Sequence, residues 1–180
     1  MVISENKSQL RKRFRKERTD RFSEESWIHI ISANEIRSAK NIATYLSYEF
    51  EPNTQDINRE LIGLGKNLYL PRVRENKDIE WVKWDGSQES LRQNGKIFEP
   101  QGDAEEAIDF EVIIVPALHI DRSGNRLGQG GGSYDRALAK SNAWKIALLH
   151  HGEITNEILP LEPHDQKVSA AATPEIIVRF

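Results

Sequence analysis

Residues 110–118 read FEVIIVPAL, an apolar run with β-branched residues at its centre. A strand with one wet face would alternate apolar and polar side chains. An unbroken run predicts a strand covered on both faces, as in the interior of a parallel sheet flanked by helices. The segments around it agree. Upstream, NIATYLSY (41–48) reads as a strand, EPNTQDINRELIGLG (51–65) as a helix closing on Gly65, and NLYLP (67–71) as the next strand. IEWVKWDG (79–86) alternates like a strand, and 87–109 reads as polar and irregular. Downstream, a helix from Tyr134 to Ser141 precedes the strand WKIALLH (144–150). Two helices open the chain. One carries Lys7 to Arg18, and the other is capped by Ser23, has Glu24 and Glu25 in its first turn, and ends near Ser38. Strands alternating with helices predict one α/β domain over residues 1–180, with a mostly parallel sheet between two helical layers.

The composition bounds the function. A chain of 180 residues, 38% apolar and 29% charged, is ordinary for a globular protein with a real core. A net charge of -3 and a pI near 6.0 give no field that would draw it onto nucleic acid or an anionic membrane. The absence of cysteine excludes disulfides, a thiolate nucleophile and a Cys-based zinc site. No apolar run is long enough for a span, and the first 20 residues mix charges of both signs, so the expectation is a cytoplasmic protein without a membrane partner.

Four glycines fall within five positions of RLGQGGGSYDR (126–136), between the buried run and a helix. So bare a backbone lets a ligand approach several main-chain N–H groups at once, and phosphate is the ligand best suited to them. Neither familiar phosphate motif is present. The two GK pairs continue with Asn67 and Ile97 rather than Ser or Thr, and Ser133 stands where a dinucleotide fingerprint needs glycine. Arg126 offers a planar fork for phosphate oxygens, while Asp135 brings a negative charge to the same place. Magnesium would reconcile the two, with Asp109, Asp121 or Asp165 as candidates for a second ligand. Near the start, KSQLRKRFRKER carries seven Lys and Arg in twelve positions. On a helix, Lys7, Leu10, Arg11, Phe14 and Arg18 share one face, so Lys7 and Arg11 either converge on an anion or lay their stems along the core edge.

Taken together these pieces resemble the 5-formyltetrahydrofolate cyclo-ligases, or methenyltetrahydrofolate synthetases. The resemblance runs through KSQLR (7–11), YLSYEFEPNT (45–54), LPRV (70–73), GKIFEP (95–100), VIIVPALHIDRSGNRLGQGGGSYDR (112–136) and EPHDQKV (162–168). It implies a three-layer α/β/α sandwich and ATP- and magnesium-dependent conversion of 5-formyltetrahydrofolate to 5,10-methenyltetrahydrofolate by a monomer. By the same resemblance Lys7, Ser8, Gln9, Leu10 and Arg11 contact ATP, as do Arg126, Leu127, Gly128, Gln129, Gly130, Gly131, Gly132, Ser133 and Tyr134. Lys7 and Arg126 would then act on the transferring phosphoryl group, Asp135 and Asp165 would lie near magnesium, and Leu46, Glu51 and Tyr134 would face the folate. His119, Ser133, Ser169 and the stretch 147–154 depart from the family's usual pattern, which motivates an alternative: a non-catalytic folate- or nucleotide-binding protein on the same fold. Adjacent His150 and His151 on a strand point to opposite faces, which makes a surface pair at the strand end the expectation.

Overall fold

The computed structural model describes residues 6–180; the first five residues of the expected 1–180 domain lie outside them. In chain order the elements are α1 (Lys7–Arg21), a 3₁₀ turn (Ile28–Ser32), α2 (Asn34–Ser38), β1 (Asn41–Ala43), α3 (Gln55–Gly63), β2 (Asn67–Val73) and β3 (Ile79–Trp84). There follow β4 (Leu91–Asn94), β5 (Ile97–Pro100), β6 (Ala104–Glu105), β7 (Val112–Pro116), β8 (His119–Asp121), β9 (Arg126–Leu127) and α4 (Ser133–Ala139). The chain ends with β10 (Trp144–Leu148), β11 (Ile154–Thr155), β12 (Ala170–Ala172) and β13 (Ile177–Arg179).

The main sheet has the order β13-β12-β10-β7-β1-β2-β3-β6. Its five central strands, from β12 to β2, are parallel, and antiparallel strands close both margins. The buried run sits at the middle as β7, with Val112, Ile113, Ile114 and Val115 all at 1% exposure or less. Alternate residues serve opposite layers. Val112 and Ile114 join Ile42, Leu68 and Ile146 beneath α3 and the 3₁₀ turn, while Ile113 and Val115 join Ala43, Ala147 and Leu138 of α4. The result is the expected α/β/α arrangement with a mostly parallel sheet.

Several boundaries differ from expectation. The strand from 41 stops at Ala43; the Thr44 amide still donates to the Tyr69 carbonyl of β2 at 2.9 Å, but beyond it the chain is stitched to the start of α3. Thr44 Oγ1 donates to Asn58 at 2.7 Å, and the Tyr45 carbonyl accepts from Thr54 Oγ1 and Asn58 Nδ2. Pro52 and Asn53 delay α3 to Gln55, whose amide donates to Asn53 Oδ1. Ser23 caps nothing; its hydroxyl bonds Glu25, and the expected second helix is a 3₁₀ turn followed by the one-turn α2. Residues 91–100, expected to be irregular, form the β4–β5 hairpin, closed by the two-residue turn Gly95-Lys96 with Gly95 at φ 63° in its first position.

In chain order the parallel strands run 2-1-3-4-5 across the sheet, counting β1, β2, β7, β10 and β12. The order reverses between β1 and β7, and a crevice opens there beyond the strands' carboxyl ends. Among the described residues no helix is long and apolar enough to cross a membrane.

Candidate functional site

A cavity of about 380 Å³ occupies that crevice. Tyr45 and Leu46 reach it from the end of β1, Pro116 from the end of β7, and Leu70 and Pro71 from β2. One wall is the glycine loop. The interval between β7 and α4, expected to be loop throughout, carries the small strands β8 and β9, and β9 presents Arg126 to the cavity. Arg126 Nη1 donates to the Pro116 carbonyl at 3.1 Å and Nη2 lies 3.1 Å from Asp135 Oδ1. Its buried Nε has no partner among the described residues, so this guanidinium retains capacity for a further acceptor. Gly128 leaves room for this guanidinium, because a Cβ at that position would sit 2.6 Å from Arg126 Nη1 and push it aside. Gly130 is required by conformation, with φ +109°.

The first helix supplies the second set of cations. Its Leu10 and Phe14 pack with Leu127 and Leu159, which turns Lys7 and Arg11 toward the cavity. Arg11 Nε donates to the Gly128 carbonyl at 2.9 Å, so it braces the loop as well as charging it. Lys7 Nζ lies 2.5 Å from Asp165 and 2.6 Å from Glu162. Burial works against its charge, but hydrogen bonds and charges from these two carboxylates keep its pKa above the ordinary lysine value. Ser8 and Gln9 are exposed and Leu10 is core, so of the segment 7–11 only Lys7 and Arg11 line the cavity. Leu127 through Asp135 all line it.

Two carboxylate groupings stand at the anion end. Asp135 Oδ1 takes both Arg126 and the Gln166 amide at 3.0 Å. Asp165 belongs to a trio with Glu162 and His164 whose ligand atoms lie within 4.8 Å of one another. The oxygens of Asp165 and Glu162 suit a hard cation such as magnesium, and His164 suits it less well. Of the earlier alternatives, Asp121 is occupied by the Ser123, Asn125 and Leu159 amides and by the Asn125 side chain. Asp109 does not line the cavity. Glu162 and His164 were missed from sequence, although EPHDQKV holds three ligand types within four residues.

The opposite wall is the turn Tyr48–Glu51. The Glu51 amide donates to the Tyr48 carbonyl at 3.1 Å, and the Tyr48 amide donates back to Glu51 Oε2 at 3.2 Å. Burial pushes the Glu51 carboxyl up to about 7, with the Tyr48 amide and the Arg18 charge opposing and Glu49 adding to the rise. Tyr134 lies beside it, held protonated by burial and by the Glu51 charge, with its ring 5.9 Å from the Arg126 guanidinium carbon. Leu46 packs on Leu70, Trp84 and Leu91 at the apolar side. Leu46, Glu51, Tyr48 and Phe98 also line a second, adjoining cavity of about 800 Å³. The site therefore pairs a cationic, backbone-rich end with an apolar slot ending in a carboxylate.

Fold and site together define a doubly wound α/β protein whose crevice holds a pocket with a cationic, amide-rich end and an apolar slot closed by a buried carboxylate. The model of the 5-formyltetrahydrofolate cyclo-ligase family matches residues 3–174, and the chain belongs to that family. It is 33% identical over 150 residues to the 5-formyltetrahydrofolate cyclo-ligase of Mycolicibacterium smegmatis, covering 77% of this chain and 75% of that one. To the enzyme of the same name from Escherichia coli (strain K12) it is 31% identical over 144 residues, covering 76% and 79%. Among solved structures, the 5,10-methenyltetrahydrofolate synthetase of Aquifex aeolicus superposes with a TM-score of 0.80 at 28% identity, covering 96% of this chain and 92% of that one.

Proposed function

We propose that this protein converts 5-formyltetrahydrofolate to 5,10-methenyltetrahydrofolate at the expense of ATP, releasing ADP and phosphate. The observation that carries the proposal is the single cavity holding Arg126 and the glycine loop at one end and the buried Glu51 at the other.

The chemistry explains the need for both ends. The formamide nitrogen N5 donates into its carbonyl, so the formyl carbon is a poor electrophile. Transfer of the γ-phosphoryl group to the formyl oxygen expels ADP and leaves an iminium phosphate at N5. The N10 lone pair then attacks that carbon, the C–O bond breaks with its electrons leaving on phosphate, and the N10 proton is lost. No covalent protein nucleophile is called for. What is called for is in-line placement, cations around the transferring group and exclusion of water. Arg126 and Lys7 supply the cations, and the glycine loop supplies main-chain donors. Glu51 accepts paired hydrogen bonds from the pterin ring N–H and amino groups, with Leu46 and Tyr134 against the ring. Asp165 and Glu162, which Lys7 pairs in the free protein, would hold magnesium once the Lys7 ammonium turns to the phosphate, with Asp135 beside Arg126; the ion would supply shielding of phosphate charge.

The test is direct. The protein is incubated with 5-formyltetrahydrofolate, ATP and magnesium, and the conjugated methenyl product is followed by absorbance. Product formation dependent on both nucleotide and metal is expected, and folate binding without turnover would select the non-catalytic alternative.

A further inference from the structure

His150 is not the surface residue its place at a strand end suggested; it is 3% exposed, while its neighbour His151 is exposed beside Glu25. Its backbone amide donates to Glu153 at 2.8 Å. Its ring meets Trp27 edge-on at 5.1 Å and Phe22 at 5.6 Å, and the Trp27 indole N–H is fixed to the Leu149 carbonyl. So fixed, the imidazole places Nε2 2.9 Å from the carbonyl of Phe50, the residue immediately before Glu51. A carbonyl only accepts, so Nε2 carries the hydrogen, and Nδ1 is without a partner among the described residues. Burial holds the ring's pKa below the usual histidine value, which keeps it in this neutral form at neutral pH.

We propose that His150 is a positioning residue for the folate: by holding the Phe50 carbonyl it ties the Tyr48–Glu51 turn to the end of β10 and sets the Glu51 carboxylate in the cavity wall. The turn has reason to need a tether. Glu49 and Phe50 are exposed, and Glu49 sits at φ 51°, a conformation that non-glycine residues adopt at a cost. The proposal rests on the role assigned to Glu51 above. The charged and titratable groups around the two residues are Arg18, Glu25, Glu49, Glu153, Tyr45, Tyr48 and Tyr134.

His150→Phe keeps a ring against Phe22 and Trp27 but removes the donor, while His150→Gln keeps a donor of similar reach. Kinetics with 5-formyltetrahydrofolate and ATP, and calorimetric titration with 5-formyltetrahydrofolate alone, are run on both folded variants across pH 5 to 8. The Phe variant should weaken folate by about tenfold, with kcat and the KM for ATP within about twofold, and Gln should restore most of the loss. In the Phe variant the pH midpoint of folate affinity should also move down, because a loosened turn lets water reach the Glu51 carboxylate. Should the Phe variant not fold, His150→Asn, too short to reach Phe50, carries the same comparison. Unchanged folate affinity and an unchanged midpoint in a folded variant would overturn the proposal. Failure of the unmodified protein to bind or turn over 5-formyltetrahydrofolate would instead remove the function on which it rests.

Discussion

Arg126 meets two kinds of partner, and separating them is the main question at the scale of single residues. In the free protein it is neutralised by Asp135 and anchored to the Pro116 carbonyl. Under the proposed reaction its fork turns its remaining donors on the transferring phosphoryl group. Removing one such charge-assisted contact costs about 2 to 4 kcal/mol of transition-state stabilisation. Arg126→Ala should therefore lower kcat by about 30-fold to 10³-fold while folate affinity holds, as steady-state kinetics beside a folate titration would reveal. Asp135→Asn distinguishes metal binding from aiming. A raised magnesium requirement places the carboxylate at the ion, whereas a lower kcat with unaltered magnesium dependence means that it only orients Arg126. The pairing of these two residues was readable in RLGQGGGSYDR, since a cation and a carboxylate flanking bare backbone imply an anion between them. Glu162 was not readable in this way, because its link to Lys7 spans 155 residues of chain.

At the scale of elements, legibility followed locality. The strands β2, β7 and β10 were visible because each is buried on both faces and its own residues say so. The β4–β5 hairpin turns on Gly95-Lys96, with Gly95 at a positive φ, and was hidden by the polar residues around it. In α1 the sequence put Arg18 on the face of Leu10 and Phe14 but could not name its partner. Arg18 is 5% exposed and forms a fork-to-fork pair with Glu153 at 2.6 and 2.7 Å, and it also donates to the Ala117 carbonyl. Phe14 stacks on His119 at 3.4 Å one turn away. These contacts fasten to the body the helix that carries Lys7 and Arg11. Breaking a buried pair from one side leaves a bare charge and costs about 3 to 5 kcal/mol. Arg18→Leu should accordingly lower the urea midpoint sharply, and adding Glu153→Leu should recover much of the loss. If the double variant is as unstable as the single one, the lost carbonyl contact, the His150 amide left without Glu153, and packing, and not the stranded charge, are responsible.

For the whole molecule, the acidic limb of the stability curve is a contest between groups of opposite sign. Burial lowers the pKa of His119 and His150, so the unfolded chain takes up their protons more readily, and stability drains away as pH falls below about 6.5. Glu51 works in reverse. Its carboxyl is pushed up to about 7 by burial, against an ordinary 4.5, so between those values the folded protein holds the proton and the unfolded chain does not. Its contribution is therefore favourable in acid and declines as pH rises from about 4.5 to about 7. Glu51→Gln deletes that decline. Relative to the unmodified protein, the variant should gain stability steadily over this window and level off above it, as denaturant titrations at several pH values would record. A constant difference would mean that the carboxyl is not perturbed in solution. Under the proposed role of Glu51 the same strain serves binding, because pterin N–H groups require the ionised acceptor. Folate affinity should rise with pH through about 7, and at pH 6 each folate bound should expel close to one proton from Glu51. Calorimetry in two buffers of different ionisation enthalpy measures that proton directly, and zero proton release at pH 6 would remove Glu51 from the pterin edge.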